Sequence, residues 1–272
     1  MKILYVGNAQ GLNNIHKYYL TEQRLINGFT RLGHNVYCFN DRDQARYSNP
    51  LRTQKLGLRR MNKNLLAAAK VYEPDLILLS HCKNVENETL LEIKNFLSKV
   101  KIAYTNVDPL SAMQNIADIH QRVGVADAIF ITTAGEGLQQ FSHSNTAIHY
   151  FPNPVDPAID TGCAFRNPKA STDLLFLGQA LRHQDDHRAQ LAEFINQKNR
   201  GYITCYIGGL AINKNLHYGA DYQKILNNSK MGVCVSKVND HYLYASDRLS
   251  HYLAAGIMVF IPSGARFDDV LG

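Results

Sequence analysis

A chain of 272 residues, with 45% hydrophobic and 19% charged side chains, has room for one large globular domain or two modest ones; disordered, collagen-like and low-complexity compositions are excluded. Twenty-nine Lys and Arg against 23 Asp and Glu give a net charge of +6, which favours an anionic ligand or surface without selecting one. No apolar run reaches the ~18 residues of a membrane span, and five dispersed cysteines lack metal-binding spacing and sit in apolar or strand-like runs. They predict reduced, buried thiols in a cytoplasmic protein.

The elements alternate from the first residue. Lys2–Val6 reads as a buried strand that starts without a signal-peptide pattern, so secretion is disfavoured. The loop 7–11 follows, then a helix over about 14–32 with Tyr18, Leu25, Ile26 and Phe29 at helical spacing and Gly33 at its C-cap. Strands are predicted at 34–39, 75–80, 101–106, 126–132 and 146–151, with helices at 58–72, 88–100, 113–123 and 136–141. This order implies parallel βαβ units and a doubly wound domain over residues 1–151. Asp41-Arg-Asp43, a D-x-D spelling, reads as a loop.

Pro152, Pro154 and Pro157 disfavour helix and central strand, and residues 152–170 read as an interdomain linker. Beyond it the alternation restarts. Strands are expected at 173–177, 202–207, 231–235 and 257–261, and helices at 186–198, 220–228 and 247–255. The fold class is therefore α/β, with two Rossmann-like domains, 1–151 and 171–272, and a ligand cleft between the carboxyl ends of their sheets. The second domain is expected to be incomplete, by one or two units of about 30 residues.

Three segments resemble GT-B glycosyltransferases, in particular the bacterial family-1 and family-4-like and spore-maturation-protein-type members. Tyr150-Phe-Pro-Asn-Pro-Val-Asp-Pro157 is similar to the family's "P-N-x-V-D" hinge. Leu174-Leu-Phe-Leu-Gly178 is similar to the first strand of its second domain, with the glycine that ends it. Ser246-Asp-Arg-Leu-Ser-His-Tyr-Leu-Ala-Ala-Gly256 resembles the "R-x-x-E-x-L-A-x-G" donor-binding helix. The resemblance implies a nucleotide-sugar site containing Gly178, Arg182, Ser246, Asp247, Arg248 and His251. Ser246 is expected to cap the helix, with Asp247 and Arg248 opening it, so that its free N–H groups and the Arg248 fork face a diphosphate. Matched on Arg248 and Gly256, the family's E-x7-E positions hold Leu243 and His251, so the donor-binding carboxylates are missing. His251 is left either as a ribose hydrogen-bonding group or as a structural histidine.

Glycosyl transfer to a hydroxyl needs a proton acceptor and a stabilised leaving diphosphate. The resemblance implies that protein cations and helix dipoles do the latter, without an obligatory metal or other cofactor. Arg182 and Arg248 are the stronger cation candidates, Lys214 and Lys237 the weaker. His16, beside the 7–11 loop, and Asp108, after a strand end, are alternative bases; a surface histidine and an Asp-Pro turn are the ordinary readings of each. The 7–11 loop lacks a dinucleotide fingerprint.

Residues 1–150 hold 17 Lys and Arg against 12 acids, while the remainder holds 12 against 11. Arg52, Lys55, Arg59, Arg60, Lys63 and Lys70 cluster among apolar residues, as a peripheral contact with an anionic membrane surface requires; a solvated helix face is the alternative. No nucleic-acid-binding module is present. The expected function is transfer of a sugar from a nucleotide-sugar to a glycan, lipid-linked saccharide or protein acceptor. A GT-B protein that binds nucleotides without turnover, or a nucleotide-sugar epimerase of the same fold, are the alternatives.

Overall fold

The computed structural model describes residues 1–9, 21–180, 186–210 and 212–272. The chain divides into two compact units, Met1–Pro152 and Asn153–Gly272.

In the first unit, β1 (Lys2–Val6), β2 (Asn35–Phe39), β3 (Leu76–Ser80), β4 (Lys101–Asn106), β5 (Ala128–Ile131) and β6 (Ala147–Tyr150) form one sheet in the order β2-β1-β3-β4-β5-β6. Every pairing is parallel; Ile3, for example, is registered with Val36 on one side and Leu76 on the other. Position in the sheet follows from composition. The central β1 and β3 are nearly unbroken apolar runs buried on both faces, whereas the edge strands β2 and β6 alternate exposed and half-buried positions. One core layer joins Leu4, Val6, Ile77 and Leu79 to Met61 and Leu65; another joins Tyr5, Leu78 and Ala103 to Ile26.

The helices of this unit are α1 (Thr21–Arg31), α2 (Asp41–Tyr47), α3 (Gln54–Tyr72), α4 (Asn87–Phe96) and α5 (Met113–His120). Gly33 takes a φ of 79° just past α1, the left-handed conformation expected of it. The D-x-D segment departs from the loop expectation, because Asp41 and Asp43 form the first turn of α2. Asn40 caps that helix by accepting from the Asp43 amide at 3.1 Å, and the acids face the positive end of its dipole. Helix α3 begins at Gln54, a turn earlier than its apolar spacing suggests, and buries Met61, Leu65 and Ala69 while Lys55, Arg59, Arg60, Lys63 and Lys70 point outward.

Helices α2 and α3 touch where Gly57 meets Ala45; a Cβ on Gly57 would lie 1.7 Å from the Ala45 carbonyl oxygen. Backbone lies on the far side of that contact, so a methyl group forces the helices apart. Gly57→Ala is expected to lower stability by about 2 kcal/mol in urea unfolding, and a change below a few tenths of that would contradict the contact.

In the second unit, β7 (Thr172–Leu177), β8 (Cys205–Gly208), β9 (Ser229–Val233) and β10 (Met258–Phe260) pair in parallel in the order β10-β9-β7-β8. The helices are α6 (His187–Asn199), α7 (Gly219–Asn227), α8 (Arg248–Ala255) and α9 (Asp268–Leu271). Phe176, Ala192, Ile207 and Val233 centre its core. Strand β9 starts two residues early because Ser229 pairs with Thr172.

Residues 153–170 are fastened to this unit. The Asn227 side chain accepts from the Cys163 amide at 3.0 Å, and the Asn167 amide group donates to the Asn227 carbonyl at 2.8 Å. Where prolines remove backbone donors, the buried Asp156 shapes the turn by accepting from the Ala158 amide at 2.8 Å. The thiols are less uniformly buried than expected: Cys82 and Cys234 are buried, Cys38 and Cys205 half-buried, and Cys163 exposed, since its segment lies on the surface of α7.

Both sheets reverse strand order once, between β1 and β3 and between β7 and β9. Ligands of such sheets bind at the carboxyl ends of the strands flanking that reversal.

Candidate functional site

At the carboxyl end of β7, the Gly178 amide donates to the Gly208 carbonyl at 3.0 Å and the Ala180 amide to Gly209 at 2.8 Å. This approach of two backbones needs glycine. Gly209 has a φ of 74°, and a Cβ on it would fall 1.7 Å from the Gly178 carbonyl oxygen. A Cβ on Gly178 would in turn lie 3.0 Å from Nη1 of Arg248. The glycines therefore make room for a guanidinium. Beside it is a cavity of about 150 Å³ lined by Leu177, Gly178, Gln179, His217, Tyr218 and Arg248, among others.

Arg248 is buried at the head of α8. Its Nη1 donates to the Leu177 carbonyl, Nη2 to the Val235 carbonyl at 2.6 Å, and Nε to the Ser246 hydroxyl at 3.1 Å. One side chain thus ties the ends of β7 and β9 while lining the cavity. Ser246 does not cap the helix as expected, because its hydroxyl accepts from Arg248. The exposed Asp247 flanks the helix instead, and the helix itself begins at Arg248 rather than at Asp247. Gly256 ends α8 with a φ of 69°.

His251 is buried, its Nδ1 3.2 Å from the Tyr222 hydroxyl and its ring edge-on to that tyrosine at 5.7 Å. Leu243 is buried as well. Both positions that carry carboxylates in the resembling family are packed inside this unit.

Two polar groupings escaped the sequence reading. The first is a chain from Tyr206 on β8 through His217 to Asp221 on α7. His217 Nε2 is 2.5 Å from the Tyr206 hydroxyl, and its Nδ1 pairs with the Asp221 carboxylate. The second is the buried pair Asp186–Arg188 at the start of α6. Asp186 accepts from Nε at 2.8 Å and from Nη2 at 2.7 Å, and Nη2 also reaches the Gln179 carbonyl at 2.9 Å, fixing the cavity wall. An Asp two residues ahead of an Arg at a predicted helix start was the available signal. In the first grouping the i,i+4 spacing of His217 and Asp221 was the local signal, whereas nothing local announces the Tyr206 contact.

In the first unit, Asp108 follows β4 and accompanies His81, which follows β3 with a φ of 50°; Nδ1 and Oδ2 are 3.7 Å apart. Arg122, buried just past α5, donates to the Cys82 carbonyl at 2.8 Å, the Val85 carbonyl at 2.6 Å and the Asn87 side chain. His16 and Arg182 lie outside the described residues, as does the end of the 7–11 loop. Lys214 and Lys237 are exposed. Among the described residues, no group of three or more His, Cys, Asp or Glu is placed to hold a metal ion, and no helix is long and apolar enough to cross a membrane.

Among solved structures, the chain is similar to trehalose-6-phosphate synthase from Burkholderia multivorans at 11% identity, with a TM-score of 0.58 over 100% of this chain and 89% of that one. It is also similar to the N-terminal domain of Candida albicans trehalose-6-phosphate phosphatase, at 11% identity and a TM-score of 0.56 over 98% and 84% of the two chains. A trehalose-6-phosphate synthase studied with bisubstrate glycomimetics gives 11% identity and 0.52 over 98% and 90%. No family model and no curated sequence matches the chain. The likeness establishes the fold: two Rossmann-like units of the kind found in GT-B glycosyltransferases.

Proposed function

We propose that this chain is a glycosyltransferase that moves a sugar from a nucleotide-sugar to a hydroxyl of a glycan, lipid-linked saccharide or protein. The observation that carries the reading is the glycine-lined cavity at the carboxyl end of β7, with Arg248 and the start of α8 beside it. At about 150 Å³ it is smaller than a whole-ligand pocket, so the reading assigns it the diphosphate end of the donor. The positive end of the α8 dipole and the positive charge of Arg248 favour an anion there. The acceptor oxygen would bond to the anomeric carbon as the carbon–diphosphate bond breaks, its proton passing to a base. Asp108 and His16 are the base candidates, and His81 beside Asp108 joins them.

A second reading, nucleotide binding without turnover, is favoured by the Arg248 hydrogen bonds to Leu177 and Val235 and by the packing of Leu243 and His251. Thermal-shift measurements with UDP-, GDP-, CMP- and dTDP-sugars test both. The transferase reading expects one donor series to raise the melting temperature by several degrees and to release nucleoside diphosphate when acceptors are added. Stabilisation without release supports the second reading, and no stabilisation by any donor overturns both.

A further inference from the structure

A second hollow lies in the first unit, between α2 and α3 and next to the carboxyl end of β2. Its volume is about 540 Å³, within the usual range for small-molecule sites. The helical period puts Gln44 and Tyr47 on one face of α2, with Ser48 at its C-terminal end, and Arg60 and Asn64 on one face of α3. The close contact at Gly57 and Ala45 fixes the two helices against each other, and the Asn64 side chain bridges to Gln44 Oε1 at 3.2 Å. The walls are therefore built before any ligand arrives.

The chemistry of the lining is specific. Asp43 has its charge balanced by Arg46, 3.3 Å away. Arg60 forms no ion pair or hydrogen bond with any described residue, so a guanidinium fork is left unmatched in the wall. Around it stand side-chain amides that both donate and accept, a hydroxyl, and the half-exposed ring of Tyr47, one face of which is covered by the Arg52 guanidinium 5.6 Å from its centroid. Amides and a hydroxyl suit the alternating donors and acceptors of a polyol, an aromatic ring suits the apolar face of a pyranose, and a free fork suits a carboxylate or phosphate.

We propose that this hollow binds a saccharide bearing one anionic group, which Arg60 pairs while Gln44, Asn64 and Tyr47 hold the sugar. Its role as an acceptor subsite rests on the transferase reading; binding itself does not. Calorimetric titration without any nucleotide-sugar, using a glucuronate-terminated disaccharide, a hexose 6-phosphate and neutral maltose, separates the two. Saturable binding of the uronate or the phosphate, at least about tenfold weaker in Arg60→Gln and also weakened in Tyr47→Ala, is expected; the arm that binds identifies the anion. Both side chains are exposed, and unchanged melting of the variants confirms that the fold is kept. Failure of both acidic probes, preference for maltose, or undiminished binding in Arg60→Gln overturns the proposal. Donor binding in the thermal-shift panel alongside any of these results would leave the transferase reading intact.

Discussion

Replacing Arg248 with alanine is expected to destabilise the second unit by about 3–5 kcal/mol, enough to shift its urea transition by more than 1 M. The guanidinium is the hydrogen-bond donor for the Leu177 carbonyl at the end of β7 and for the Val235 carbonyl just past β9. Removing it leaves buried acceptors unmatched at about 1–3 kcal/mol each, and the lost stem adds a packing defect. Lysine restores the charge but lacks the planar fork that spans both carbonyls, so Arg248→Lys should recover only part of the loss. A loss below about 1 kcal/mol in the alanine variant would mean that the strand ends do not depend on this side chain. The same variant bears on donor binding, which is best measured at a temperature where it remains folded.

Asp41→Asn is expected to stabilise the protein at pH 7.5 by up to about 3 kcal/mol and to leave it unchanged near pH 4. Asp41 is buried in the first turn of α2, with neither carboxylate oxygen hydrogen-bonded. Burial raises its pKa to about 6, against the opposing pull of Arg42 and of backbone N–H groups at the helix start, with Asp43 adding to the rise; the buried thiol of Cys82 also lies within its field. The folded state therefore holds this proton more tightly than the unfolded chain does. Below pH 4 both states are protonated and the group is neutral to stability. As pH climbs from about 4 to 6 the unfolded chain ionises first and stability falls, and above 6 the full cost persists. The amide cannot ionise, so unfolding curves of the variant should lack this downward slope. An identical slope in wild type and variant would show that Asp41 titrates normally.

The helix–strand alternation was legible because parallel strands buried on both faces read as short apolar runs, as in Leu76–Ser80, and because glycines such as Gly33 and Gly256 mark helix ends chemically. Arg248 was legible as a residue at the head of α8, but not the direction of its side chain. That direction depends on carbonyls contributed by β7 and by the chain after β9. The same holds for His81 beside Asp108, which follow two strands that only the sheet order makes neighbours; Tyr206 and His217 meet instead through the fold of the connection between β8 and α7. Asp41 shows the opposite failure. The D-x-D spelling drew attention as a motif, whereas the helix cap at Asn40 and the burial of the first carboxylate give it its physical character.

Arg122 has a mechanical consequence for the first unit. Its three bonds all end between Cys82 and Asn87, so the stretch leading from β3 into α4 is strapped to the far end of α5. His81 begins that stretch, and Asp108 lies just ahead of α5. Both residues consequently ride on one block, and a fluctuation that carries either away must shear the strap and strip a buried guanidinium of several acceptors at once. The separation of the imidazole and carboxylate is governed by a braced frame rather than by two independently wandering loops.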